Sequence, residues 1–385
     1  MRTFDVDAIT LESLRERRSA KWQVFPPDVL PAWVAEMDFP LAEPIAATLR
    51  RAIDNSDTGY LSPDGLGEAF ASFAQSAWGW QVDSARVSPL PDVLTGVAQS
   101  LLRLTDAGDG VVINPPVYHP FFSSIADVVH RRVVEAPMLR RADGRYDWDL
   151  DALGVAFARP DVTAYLMSNP HNPTGTVASA ETLARIAELS AQHGVAVIAD
   201  EIHAPLVLPG AIHVPYLSVA GDDANAVVLL SASKTWNVPG LKCAQLVSTA
   251  RTAESVVARI PMEVTYAASH FGAMAAIAAY RDGGPWLADV VDILDGNRRL
   301  LAELVSAHLP RAWHQPPDAS YLGWIDLGEY DLGDDPAEVL VERGKVALSS
   351  GPIFGDAGKG FVRLNFATSP AILREVVSRV ASVVQ

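Results

Sequence analysis

Short apolar runs recur along this chain and stop at polar or turn-forming residues: GVVINPP at 110–116, AYLMSNP at 164–170, GVAVIADE at 194–201 and AVVLLSASK at 226–234. Runs of this length without alternation predict strands covered on both faces that carry polar residues at their carboxyl ends. Between two of them lies the segment Ser179–His193. Its Leu183, Ile186, Ala187 and Leu189 fall near helical spacing, with Ser179 as N-cap and Gly194 as the stop. Strand, helix, strand in that order predicts an α/β fold with a mostly parallel sheet. Ligands of such sheets bind beyond the carboxyl ends of the strands, so Asn114, Asn169, Asp200 and Ser231 are expected to face one crevice.

The pattern changes in the C-terminal third. Helical spacing around Trp286–His308 and Pro370–Val384 flanks two expected strands, YLGWIDL at 321–327 and GFVRLNFA at 360–367. The last helix has Ser369 at its cap, Pro370 in its first turn and a stripe of valines along one side. This predicts a smaller α+β domain, formed by residues 285–385 with the N-terminal 1–45, packed on a large domain of residues 46–284. The opening segment is too short to fold alone and is expected to lie across the cleft between the two.

Composition narrows the classes of function. At 385 residues, 49% hydrophobic and 20% charged, the chain is long enough for a buried core and two or three structural domains. A net charge of −16 argues against nucleic-acid or anionic-membrane binding, which need a basic surface. Any anionic ligand must find a local positive site. The single cysteine, Cys243, excludes an intrachain disulfide framework, fits a reducing compartment and reads best as a small buried residue. There is no apolar targeting segment at the N-terminus and no run that suits a membrane span, so a cytoplasmic protein is expected.

The candidate chemistry centres on SASKTWNVPGLK at 231–242, where two hydroxyls (Ser231, Ser233) and Lys234 follow a buried strand and a second cation, Lys242, stands eight residues on. That set suits a phosphate monoester held beside a reactive amine. Desolvation and nearby positive charge would lower the pKa of Lys234 enough for Schiff-base chemistry. In isolation such a lysine reads far more readily as a solvated surface residue. Asp200 at the end of VAVIAD can hold a pyridinium nitrogen protonated, or serve as a turn or cap residue. His203 can reach a phenolic oxygen of the same ring. A metal site around Glu201 and His203 lacks a third ligand at a recognisable spacing, so none is expected.

Four further positions complete the set. Asn172, in SNPHNPTGT at 168–176, can donate its amide to a ring substituent or a substrate carboxylate, the alternative being an ordinary Asn-Pro turn. Arg363 sits among apolar residues in FVRLNFA, where a guanidinium needs a partner: a substrate carboxylate or a structural salt bridge. Tyr118 can stack on a flat ring or fill the core. The helix opening after Asp92 would offer the free amides of Val93 and Leu94 to phosphate oxygens, provided the Asp92 carboxylate turns away to cap that helix.

In this order along nearly the whole chain, NPHNPTG, Asp200 in ADEIH, SASKTWNVPGLK and RLNFAT resemble the fold-type I pyridoxal 5′-phosphate (PLP) enzymes of the class I/II aminotransferase superfamily. Within it, PAWVAEMDFP at 31–40, TGYLSPDGL at 58–66, PPVYHPF at 115–121, DEIHAPLV at 200–207 and SSGPIFGDAGKGFVRLNFA resemble the MalY/PatB group of carbon–sulfur β-lyases, often called cystathionine β-lyases. Glu36 stands where that group usually has aspartate, and Asp92 where it has glycine. The resemblance implies PLP on Lys234, with Asn172, Asp200, Lys242 and Arg363 as ring contact, pyridinium partner, phosphate cation and carboxylate clamp. It implies cleavage of L-cystathionine or related L-cysteine S-conjugates to a thiol, pyruvate and ammonia, with transamination as the alternative. It also implies a homodimer in which Tyr60 reaches the cofactor phosphate of the second subunit. A PLP-sensing transcriptional regulator is not expected, because PAWVAEMDFP begins at residue 31 and leaves no room for a DNA-binding domain.

Overall fold

The computed structural model describes residues 2–384, and its centre is a seven-stranded sheet. In spatial order its strands are Val87–Leu90, Ala244–Ser248, Ala226–Leu230, Ala196–Asp200, Val162–Ser168, Gly110–Ile113 and Arg132–Glu135. All run parallel except Ala244–Ser248, which is antiparallel to both of its neighbours. The four strands expected from the apolar runs are all present.

Both faces of this sheet are covered, which is why its central strands read as unbroken apolar runs. On one face Ile113, Leu166, Ile198, Val227 and Leu246 pack with Val97 and Leu101 of the helix Val93–Leu104. On the other, Val112, Tyr165, Val197 and Val228 pack with Leu183, Ile186 and Leu189 of the helix Ala180–His193. That helix is capped as its sequence predicts: the Ser179 hydroxyl accepts from the Thr182 amide, and Gly194 takes the left-handed conformation at φ 71°.

The long helix Gly284–His308 leads to a four-stranded antiparallel sheet ordered Trp313–His314, Leu322–Asp326, Phe361–Asn365 and Ser349–Ser350. The helix Pro370–Val384 packs along Gly284–His308 through Ile372, Leu373, Val376, Val377 and Val380, all buried.

The opening segment makes contacts on two sides. Leu30–Pro31 pairs in parallel with Val346–Ala347, and the Asn365 side chain donates to the carbonyls of Val34 and Glu36. On the other side, Asn237 accepts from the Met37 amide through Oδ1 and donates to the Met37 carbonyl through Nδ2. A fully buried ion pair, Lys21 to Asp38 at 2.7 Å, anchors the segment from behind. Isolated from its partner, either charge would be costly at this depth. Among the described residues, no helix is long and apolar enough to cross a membrane.

Candidate active site

A cavity of about 470 Å³ opens where the strands Val162–Ser168, Ala196–Asp200 and Ala226–Leu230 end, roofed by residues 33–35 and by the small sheet. This is the location the open-sheet rule predicts, and the volume suits a cofactor with a small substrate. Eleven of the twelve candidate residues line it. They are Val93, Leu94, Tyr118, Asn172, Asp200 and His203, with Ser231, Ser233, Lys234, Lys242 and Arg363. Tyr60 does not. It is 89% exposed, with its ring edge against Tyr266.

Two expectations about the strand ends need correction. Asn114 and Asn169 do not face the cavity. The Asn114 amide donates to the Ala136 carbonyl while its Oδ1 accepts from the Tyr165 hydroxyl, and Asn169 Oδ1 accepts from the Ala178 amide. Both are buried and engage backbone groups that the turns leave unpaired. Ser168, one residue before Asn169, takes the position at the cavity wall.

Lys234 follows its strand in a single helical turn, Ala232–Thr235, and its amine donates to the Ala35 carbonyl at 2.9 Å. Burial, and then the charge of Arg363, hold its pKa down to about 8, within reach of the neutral form that a nucleophile or base requires. Asp200 is buried, and its Oδ1 accepts from the Ile202 amide at 3.0 Å. Burial pushes its pKa up to about 7, and the neighbouring Glu201 charge adds to the rise. A cationic ring nitrogen is the partner that would relieve this carboxylate. The strand's alternation sends Glu201 to the opposite side, where its carboxylate accepts from the Tyr216 amide and pairs with His213.

His203 shares a hydrogen bond with the Ser320 hydroxyl through Nδ1. Burial and then the charges of Lys234 and Arg363 depress its pKa to about 3, so the imidazole is neutral. Tyr118 forms part of the wall, and burial raises its phenol above the usual value.

Arg363 is 5% exposed, yet among the described residues no carboxylate lies within ion-pair distance of it. Its guanidinium donates to Asn172 Oδ1 at 2.9 Å, to the Ser349 hydroxyl at 3.1 Å and to the Trp33 carbonyl at 3.2 Å, and it lies over the Phe354 ring. Its Nε has no partner. The structural salt bridge left open by the sequence is therefore absent, and a buried cation faces the cavity with donor capacity to spare. Ser349 and Trp33 were not legible as site residues. Both arrive through tertiary pairing, of Ser349 with Arg363 across the small sheet and of residues 30–32 with that sheet's periphery.

The phosphate end differs in detail from expectation. Asp92 caps the helix Val93–Leu104 by accepting from the Thr95 amide at 2.8 Å, which leaves the Val93 and Leu94 amides without intrahelical acceptors. Its second oxygen accepts from Lys242 Nζ at 2.7 Å, so Lys242 is a paired cation. Burial acts upward on the Asp92 carboxyl, but the bonds from Lys242 and Thr95 outweigh it and the pKa is lowered. Ser231 is also engaged, donating to the Cys243 carbonyl and accepting from the Ser233 amide. The Ser233 hydroxyl and the two helix amides are the donors this end holds in reserve.

An amine on one side, a high-pKa carboxylate at the strand end, a helix N-terminus for an anion and an unpaired guanidinium opposite define a PLP-enzyme type of site on an α/β fold. Residues 34–380 match the aminotransferase class I and II family, and the chain belongs to that family. It is 46% identical to a protein of Mycobacterium tuberculosis assigned as a cystathionine β-lyase, over 98% of this chain and 97% of that one. It is 35% identical to the cystathionine β-lyase PatB of Bacillus subtilis, over 92% of each chain. A solved structure assigned as a PLP-dependent β-cystathionase from Corynebacterium diphtheriae superposes with a TM-score of 0.90 at 34% identity, covering 97% of this chain and 98% of that one.

Proposed function

We propose that this chain is a PLP-dependent carbon–sulfur β-lyase that cleaves L-cystathionine or related L-cysteine S-conjugates. The observation that carries the reading is the convergence of Lys234, Asp200 and the unpaired Arg363 on one cavity. Its similarity to proteins named cystathionine β-lyase favours elimination over transamination.

The residues present fit PLP. Asp200 would face the ring nitrogen, Asn172 and His203 the ring oxygen, and Tyr118 the ring face. The amides of Val93 and Leu94, with Ser233 and Lys242, would hold the phosphate. When bound, PLP supplies an electron sink for the pair left at Cα of the substrate. Arg363 binds the α-carboxylate through its planar fork, with Asn172 and Ser349 fixing that fork in place. With PLP bound, the Lys234 amine would be placed to take the Cα proton. Asp200 would stay ionised facing the ring nitrogen, and the thiolate would leave from Cβ. The 2-aminoacrylate set free takes up water, so that one S-conjugate and one water give a thiol, pyruvate and ammonia.

The reading extends to a division of residues 46–284 from residues 1–45 with 285–385, the cavity lying between them. It further includes a cytoplasmic homodimer in which the exposed Tyr60 reaches the phosphate site of the second subunit.

Lys234→Ala is the direct test. Loss of the absorbance of lysine-bound PLP, with turnover reduced by about 1,000-fold or more, is expected where one group is both tether and proton carrier. Normal activity in that variant would overturn the assignment.

A further inference from the structure

We propose that the preferred substrates are L-cysteine S-conjugates whose leaving thiol carries an uncharged apolar group, and that Phe25, Trp33, Leu348 and Ile353 form the subsite for that group. The proposal rests on the lyase reading above and names the substrate class within it.

All four residues line the cavity, and Trp33, Leu348 and Ile353 are residues that contact Arg363 or directly adjoin ones that do, with Phe25 packed on Trp33. The Trp33 carbonyl accepts from Arg363, Leu348 directly precedes Ser349, and Ile353 directly precedes Phe354, whose ring lies 4.9 Å from the guanidinium carbon. Phe25 sets its ring edge-on to Trp33 at 5.9 Å between centroids. A substrate held by its α-carboxylate on Arg363 therefore has aromatic and aliphatic surface beside it. Phe25 and Trp33 are only half-buried and Ile353 is 43% exposed, so each retains apolar surface for a ligand to cover.

The charge inventory points the same way. The cavity's ionic side chains are Asp92, Lys242, Asp200, Lys234 and Arg363. Asp92 and Lys242 pair with each other, Lys234 and Asp200 serve the cofactor, and Arg363 takes the α-carboxylate. The cavity's two histidines, His119 and His203, both have pKa values held below the ordinary imidazole value, first by burial, which disfavours a positive charge on either. Cystathionine carries a second ammonium and a second carboxylate on its leaving group. Among the residues lining this chain's cavity neither would meet an unengaged opposite charge, since Glu36, whose charge reaches Lys234, lies outside the lining and accepts from the Ser19 hydroxyl. A charge moved from water to apolar surface without a partner is penalised. A benzyl or alkyl thioether meets no such penalty and covers exposed apolar surface.

The test compares S-benzyl-L-cysteine, S-methyl-L-cysteine and L-cystathionine on the PLP-loaded enzyme and its Phe25→Ala variant. Alongside, dissociation constants are read from the spectral change for two analogues in which CH2 replaces sulfur, 2-amino-5-phenylpentanoate and 2,7-diaminosuberate. The expected result is a kcat/KM for S-benzyl-L-cysteine about tenfold or more above that for L-cystathionine, and a matching order in the two dissociation constants. Phe25→Ala should reduce the S-benzyl value about tenfold, chiefly through KM, and change the S-methyl value by less than about twofold. Preference for L-cystathionine and diaminosuberate would overturn the proposal, as would an equal loss on all three substrates in the variant. If no conjugate is turned over, the lyase reading fails, but the order of the two dissociation constants still decides this proposal.

Discussion

Asp200 sits where burial and function pull against each other. In the cofactor-free protein its folded-state pKa of about 7 lies well above the ordinary 3.8, because burial disfavours the charge. The folded state therefore holds this proton more tightly than the unfolded state does. The stability it contributes is intact below about pH 4, is lost as the pH rises toward 7, and stays lost above that. At about 1.4 kcal/mol per pH unit, the loss is bounded at about 4 kcal/mol. Asp200→Asn keeps the acceptor for the Ile202 amide and removes the charge. Urea unfolding of the cofactor-free proteins should show the variant more stable than wild type at pH 8, by a margin that narrows at pH 5 and closes only toward pH 4. A gap that does not change with pH would contradict this account of the group.

Arg363 makes the complementary case, since its unmet capacity is for an anion. Arg363→Lys keeps one charge but loses the planar fork that Asn172, Ser349 and Trp33 orient. An increase of about 100-fold in KM is expected, with the absorbance of lysine-bound PLP preserved. Steady-state kinetics on the loaded enzyme measures both. An unchanged KM would return Arg363 to a structural role.

Among the elements, the helix Val93–Leu104 governs the anion end of the cavity, and Asp92 does two things to it. One carboxylate oxygen completes the cap, while the other occupies Lys242. Asp92→Asn keeps the cap acceptor and frees the lysine. The pair is exposed enough to contribute only about 0–1 kcal/mol to stability, so Tm should barely move. The dissociation constant for PLP should fall several-fold, read by fluorescence or absorbance titration of the cofactor-free protein. A weaker PLP complex would mean that the carboxylate assists phosphate binding.

The strands and the helix Ala180–His193 were legible because their signals are local: unbroken apolar runs, 3.6-residue spacing, a serine cap and a left-handed glycine. Asn114 and Asn169 misled for the same reason. A polar residue after a strand reads alike whether it faces a ligand or satisfies a turn, and only the Ala136 and Ala178 backbone groups, brought in by the fold, decide between the two.

At the scale of the molecule, the site is assembled by closure. The carbonyls of Trp33 and Ala35 meet Arg363 and Lys234 across more than 190 residues of sequence, and Asp92 meets Lys242 across 150. No spacing rule reports such pairings, and they account for Ser349, Trp33 and Phe25 going unread. Lys234, Asp200, Asn172 and Arg363 stood out as types of residue in context; which of their neighbours were already engaged did not. The same limit bears on reaction choice, because binding the carboxylate and taking the Cα proton are common to elimination and transamination.

Product accounting separates the two reactions most directly. The PLP-loaded enzyme is incubated with an L-cysteine S-conjugate, with no keto acid added, and thiol, pyruvate and the form of the cofactor are followed together. The lyase account predicts equal amounts of thiol and pyruvate, many times the amount of enzyme, with the lysine-bound absorbance restored once the substrate is spent. Conversion of the cofactor to pyridoxamine phosphate in a single stoichiometric burst, with no continuing thiol release, would contradict it.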